Sequence, residues 1–308
     1  MKLKKFAAAC SVAGLLSVAG ASHASIVFSF DPTGLGSTAI NNASLLDQAP
    51  GSSIGINGVN AGAPLVIGTT ITSLFQANLG SVQAANTGNL FSNGTGGRFF
   101  TFVAGFQETV IFSAGGGGTV TNSFNILNGG FFKMCAQTAL GDNLAGTGFS
   151  CAGSGILSGT ITGGNSSQTG FLADPGLLDQ AGVDDWAGTR SVTSSGAAQL
   201  SLTIDFIDAG YFPDLASGLG IALSFVNASN ITPFKQVDPS RRFSSNGVAN
   251  GNVVTNVGAI NGFTGPDFIF QSDANASFDR RAVPEPGTLA LVGLALGAAG
   301  WFSRRRTA

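Results

Sequence analysis

The sequence predicts an all-β fold, an antiparallel β-sandwich or jelly roll, with an N-terminal leader and a short apolar C-terminal segment outside it. Three observations carry this. Apolar and polar residues alternate in short windows bounded by turn signals. Glycine, 46 of 308 residues, interrupts nearly every window long enough for a helix. The 25 phenylalanines supply core volume that a disordered chain rich in Gly, Asn, Ser and Thr would lack. No repeat of fixed period suggests a solenoid.

Met1-Lys2-Leu3-Lys4-Lys5 is a basic n-region, Phe6 to Ala19 an apolar stretch, and Ser22-His23-Ala24 supplies the small residues of a cleavage site. Residues 1–24 therefore form a secretory signal peptide for the Sec export machinery, cut between Ala24 and Ser25. From Ser25 to Phe278 no proline-rich or charged linker divides the chain, so 25–278 reads as one extracytoplasmic domain.

Ser25-Ile-Val-Phe-Ser-Phe30 is its first strand. Phe99 to Phe112 carries two apolar runs around Ala104-Gly105, and Gly115 to Gly118 offers a turn before a strand at Thr119 to Phe124. Cys10 leaves with the leader, so Cys135 and Cys151 remain as one pair in an oxidising compartment. A disulfide between them closes a short loop and contributes about 3 kcal/mol; a pair of free thiols is the alternative. Phe171 to Ala181 hints at a helical turn or two. Gln199 to Phe206 is the clearest strand, with Leu200, Leu202, Ile204 and Phe206 on one face and Ser201, Thr203 and Asp205 on the other. Ile221, Leu223 and Phe225 repeat that pattern.

Composition excludes several chemistries. His23 is the only histidine and leaves with the leader. Ser-His-Asp and Cys-His catalysis and His-ligated zinc go with it, so the domain reads as non-enzymatic. Of 14 basic and 16 acidic residues, three lysines leave with the leader, and three arginines and one glutamate lie in the tail. Eight basic groups then face fifteen acidic ones, with only Arg241-Arg242 and Arg280-Arg281 as doublets, which excludes a nucleic-acid footprint.

Three clusters are candidate sites. Asp205 and Asp208 suggest the paired carboxyl groups of glycoside hydrolysis. Three positions apart on a strand they diverge, however, and Asp208 before Ala209-Gly210 suits a turn. Asp273-Ala-Asn-Ala-Ser-Phe-Asp279 alternates oxygen-bearing side chains as calcium loops do. It has Phe278 where an EF-hand needs glycine and no glutamate at position twelve, so no metal and no cofactor is assigned. Asp184-Asp185-Trp186, between glycine-rich turns, suits a glycan contact: an indole can stack on a sugar ring while carboxylates accept from its hydroxyls. A tryptophan buried for packing is the alternative.

Asp279 to Ala282 tethers the domain to the tail. Val283-Pro284-Glu285-Pro286 can continue neither strand nor helix, because each proline removes an N–H and restricts its predecessor. An uncharged run from Thr288 to Phe302 follows, then Arg304-Arg305-Arg306, which stays cytoplasmic by the positive-inside rule. Such a run covers roughly 22 Å as a helix, short of a hydrocarbon core of about 30 Å, which suits a span held briefly and then cut.

In this order of parts, residues 283–308 resemble the bacterial PEP-CTERM sorting signal, with a short C-terminal transmembrane sorting helix. The resemblance implies transient residence in the inner membrane of a Gram-negative bacterium. It also implies recognition of Pro284, Glu285 and Pro286 by an exosortase, a membrane-embedded cysteine transpeptidase-like enzyme whose genes accompany exopolysaccharide synthesis.

A second resemblance covers most of the exported domain. Phe28-Ser-Phe-Asp-Pro32, Pro233-Phe-Lys-Gln-Val-Asp-Pro-Ser-Arg-Arg-Phe243 and the stretch from Ile260-Asn-Gly-Phe to Ala276-Ser-Phe278 are similar to the flocculation-associated PEP-CTERM proteins. That family is implicated in cell aggregation and brings no catalytic residues. The resemblance implies a secreted surface or matrix protein that associates with exopolysaccharide. A β surface rich in Gly, Asn, Ser and Thr offers neutral hydrogen-bonding groups to hydroxyl-rich polymers, and many copies multiply weak contacts. A carbohydrate-binding module with no role in aggregation and an exported hydrolase are the alternatives.

Overall fold

The computed structural model describes residues 26–58, 64–85, 88–215, 221–237, 242–245, 248–253 and 257–280. The signal peptide with its Ala24–Ser25 junction lies outside them, as do Pro284, Glu285, Pro286, the apolar run and Arg304 to Arg306. The domain is all-β, as its alternation predicts, and its strand pairings are antiparallel apart from a short parallel one between residues 190–191 and 260–261. β1 (Phe28–Phe30) and β2 (Ile40–Ala43) pair with each other at one end. β3 (Leu45–Gln48) and β4 (Gly51–Ile56) are separated by Ala49-Pro50, whose proline cannot donate to a ladder. The long β5 (Thr70–Ala84) is followed by the short β6 (Gly88–Ser92).

β7 (Phe99–Gly116) returns through Gly117 and Gly118, both with positive φ, into β8 (Thr119–Ile126). β9 (Gly130–Gln137), β10 (Gly155–Leu177), β11 (Arg190–Ile207) and β12 (Ile221–Thr232) follow. β13 (Arg242–Ser245) and β14 (Val248–Val253) make a separate hairpin. β15 (Ile260–Asn261), β16 (Phe268–Asp273) and β17 (Asn275–Arg280) complete the domain.

Hydrogen-bonded neighbours trace a circle. β4, β5, β7, β8, β10, β11, β12 and β16 pair in that order, and β16 returns to β4. β3, β5, β7, β9, β10, β11, β12 and β17 make a second circuit, closed by β17 on β3. Both circuits share β5, β7, β10, β11 and β12; the remaining staves are made of two consecutive strands each. The two layers expected of a sandwich are thus joined along both margins, as in an eight-stranded barrel.

Alternation divides every stave into an inner and an outer row. At the β3–β17 end the inside is filled by Leu46, Phe100, Phe102, Phe132, Leu202 and Phe278. Phe28 and Phe30 of β1 close that end with Phe212; the Phe28–Phe278 and Phe30–Phe100 ring centroids are 4.8 and 5.2 Å apart. Each buried phenylalanine contributes about 1.5–3 kcal/mol. Outside the barrel, Ile54, Leu74 and Ile269 point the other way and are covered by Leu178, Trp186, Phe234, Phe243 and Val257.

Three local expectations change. The two apolar runs around Ala104-Gly105 are one strand that continues to Gly116: Gly105 is needed because a Cβ there would collide with the Phe131 ring. Phe171 to Leu177 is extended, since Phe171 pairs with Thr119 on one side and Thr193 on the other, and two ladders outweigh a local helical tendency. Among the described residues the helical turn is the 3-10 segment Thr95–Gly97. On β11 the register slips, with Ser158 opposite Phe206 but Gly159 opposite Ile204, leaving Asp205 as the extra residue of a bulge. Phe206 is consequently 47 % exposed, and Ile207 turns inward in its place.

Candidate functional site

The predicted candidates do not converge. Trp186 is 1 % exposed, packed among Ile54, Leu74, Leu178, Phe234 and Ile269, so its ring cannot serve as a stacking platform. Asp184 and Asp185 beside it are exposed. The turn that carries them is organised by Asp179, whose carboxylate accepts from the backbone of Ala181 (3.0 Å) and Asp185 (3.2 Å). Asp205 accepts from Thr160 Oγ1 at 2.7 Å on the outer surface. Asp208 caps its own turn, accepting from Gly210 N at 2.8 Å, so the two acids have separate structural duties. Asp273 ends β16, and Asn275 and Ser277 lie on β17, where alternate residues are about 6.6 Å apart along an extended strand and not in a loop.

Cys135 and Cys151 form a disulfide with a Cα–Cα separation of 5.4 Å. It pins the segment between β9 and β10 against the outer face at Val103 and Phe149. The Asn78 side chain clamps the same segment through both backbone groups of Gly141, at 2.9 and 2.8 Å.

Of the second resemblance, residues 238–241 lie outside the described residues, and Asn261 and Gln271 serve as scaffolding. Asn261 donates to Ile269 O (2.8 Å) and accepts from Ile269 N (2.9 Å), tying β15 to β16. Gln271 Oε1 accepts from the backbone of Lys235 (3.2 Å) and Gln236 (2.9 Å), which seats Phe234 beside Trp186.

What the strands do assemble is an uncharged polar face. Outward positions of β8, β10 and β11 stand in rows fixed by register: Thr121–Thr169–Ser195, Ser123–Ser167–Ala197 and Asn125–Asn165–Gln199. Thr109 of β7 extends the last row opposite Asn125. All of these side chains are exposed or half-exposed. Thr121 Oγ1 and Thr169 Oγ1 lie 3.3 Å apart. Neighbouring strands are about 4.8 Å apart, so the face repeats hydroxyl and amide groups on a regular grid. Each hydroxyl can donate once and accept twice. Gly163 to Gly170 carries no element assignment from sequence, and its pairing with β8 and β11 makes it the middle of this face; the period-two Thr-x-Thr-x-Ser of 119–123 is the local signal.

Four of the described acids are buried, Asp31, Glu108, Asp179 and Asp267, and Asp31 and Glu108 have shifted proton affinities. Asp31, 0 % exposed, accepts from Thr33 N (2.8 Å), Thr33 Oγ1 (2.7 Å), Thr38 N (2.9 Å) and Thr38 Oγ1 (2.9 Å). Burial pushes its proton affinity up, but these bonds outweigh it and hold the carboxyl well below the usual range. Glu108, facing the inside of the barrel, is raised by burial, with hydrogen bonds from Ser166 and from Ser73 (2.7 Å) opposing only part of that effect.

Among known proteins, residues 282–306 match the family model described as the PEP-CTERM protein-sorting motif. No curated protein and no solved structure matches the chain.

Proposed function

For a chain that ends in a PEP-CTERM sorting motif, and is therefore an exported exosortase substrate, we propose a non-enzymatic role in flocculation. The protein holds exopolysaccharide at the cell surface or in the extracellular matrix and so joins neighbouring cells. The observation that carries this reading is the uncharged hydroxyl and amide grid of β8, β10 and β11. A polymer of sugars presents the same neutral donors and acceptors at short intervals. Each contact is weak, and strength comes from many copies along one polymer. Such binding depends little on salt, unlike attachment through surface charge.

The test is settling of a deletion strain, with cell-bound and released exopolysaccharide measured separately. Dispersed cells that shed polymer are expected, restored by the intact gene but not by one carrying Ser167→Glu and Ser195→Glu. Unchanged flocs in the deletion strain would reject the role, and full restoration by the double variant would reject the face.

A further inference from the structure

The two ends of the barrel are filled differently. Around the β3–β17 end the inward row is phenylalanine and leucine. Around the β4–β16 end the corresponding positions are small: Ser53, Gly55, Ser73, Ala104, Ser166 and Ser194. An eight-stranded barrel is just wide enough to be filled by large side chains or to hold one small ligand. Here the small residues leave a cavity of about 90 Å³, lined from β4, β5, β7, β8, β10, β11 and β16. Its walls are mainly apolar, with Phe75, Phe124 and Phe268 among them. Phe106 and Phe270 also line it and are only half-buried although they sit within strands.

Glu108 interrupts that apolar wall. Ser73 donates to one of its oxygens at 2.7 Å and Ser166 to the other. A carboxylate has about four acceptor positions, so two described partners leave acceptor capacity toward the lumen. Burying such a group is costly unless something polar meets it. Leu65 closes this end with Ile71, Val110 and Phe124. Beside Leu65, Val66 and Ile67 are 65 and 63 % exposed, and Ile111 and Phe112 of β7 are 56 and 48 % exposed. Gly68 N–Val110 O (2.8 Å) and Val110 N–Thr69 O (2.9 Å) hold the two segments together, so these side chains form an apolar rim next to the cap.

We propose that the lumen at the β4–β16 end binds a small, mainly apolar molecule whose single hydrogen-bond-donating head, a hydroxyl or an amine, is seated on Glu108. The apolar body lies against the phenylalanines and enters past the rim. The lumen shares Ser167 of its wall with the polar outer face and otherwise uses other residues, and the proposal stands or falls independently of the role in flocculation.

The experiment uses protein purified from the producing cells, titrated calorimetrically with benzyl alcohol and with toluene, which has nearly the same shape but no donor. Saturable binding of benzyl alcohol, about tenfold tighter than toluene, is expected from one hydrogen bond to a charged or polar buried acceptor. Gly55→Leu fills the lumen: a Cβ there meets Ile71 Cγ2 and Gly58 Cα at 3.7 Å, ordinary contact. That variant is expected to keep its circular dichroism spectrum and lose both ligands. Glu108→Leu is expected to bind toluene and to lose the preference for benzyl alcohol, which supplies the test should Gly55→Leu not fold. No saturable binding to the native protein, equal affinity for the two compounds, or unchanged binding in folded Gly55→Leu would each overturn the proposal.

Discussion

Asp31 and Glu108 are both buried carboxyl groups, and their surroundings act in opposite directions on stability. The folded-state affinity of Asp31 for its proton is lowered, so its contribution is fully present above the unfolded value of about 3.9 and is lost as pH falls. That of Glu108 is raised, so stability is lost as pH rises past the unfolded value of about 4.3. Denaturant titrations across pH are expected to show Asp31→Asn less stable by about 2 kcal/mol at neutral pH, with a shallower acid limb. Glu108→Gln is expected to be more stable than the native protein at neutral pH and equal to it near pH 3. A Glu108→Gln profile parallel to the native one would mean that the acid carries its charge in the fold at no cost. Neither environment is legible locally. Asp31-Pro32-Thr33 reads as an ordinary turn, and Glu108 occupies an inward position only because of a strand whose length the sequence understated.

At the scale of elements, alternation carried the strands well: Leu200, Leu202 and Ile204 face the core as expected. What it missed depended on partners. The bulge at Asp205 arises from pairing with Ser158 and Gly159, nearly fifty positions away, and it reverses Phe206. Trp186 looked available because acids and glycines flank it; its cover comes from Phe234, Phe243 and Val257, far along the chain. Small inward residues such as Ser53, Gly55 and Ser166 carry no apolar alternation to mark them, so the cavity was invisible in the sequence. The cysteine pair was legible from count and compartment alone. Replacing Cys135 and Cys151 together by serine is expected to cost about 3 kcal/mol, a fall of roughly 6–12 °C in Tm for a domain of this size. An unchanged Tm would show that the Asn78 clamp already fixes the segment.

For the whole molecule, sorting is tested at the tail and closure of the fold at its two termini. Changing Pro284, Glu285 and Pro286 to alanine is expected to leave an uncut form in the membrane fraction; a product of normal mature size on an immunoblot would exclude the motif as the recognition element. The first described residue, Ile26, donates its backbone N–H to Phe278 O at 2.7 Å, so the start and end of the domain lie side by side. The circle of strands also has a temporal meaning. Its last stave, β16 followed by β17, is the final part of the domain to be made, and its strands pair with β4 and β3 near the beginning. Asn57 N reaches Asp267 Oδ1 at 3.0 Å across 210 positions. Contacts of such long range form late. Until β16 and β17 have been made, β3 and β4 can pair with β5 but their other edges have no partner. A chain cut short before β16 therefore leaves the circle open along the β3 and β4 edges.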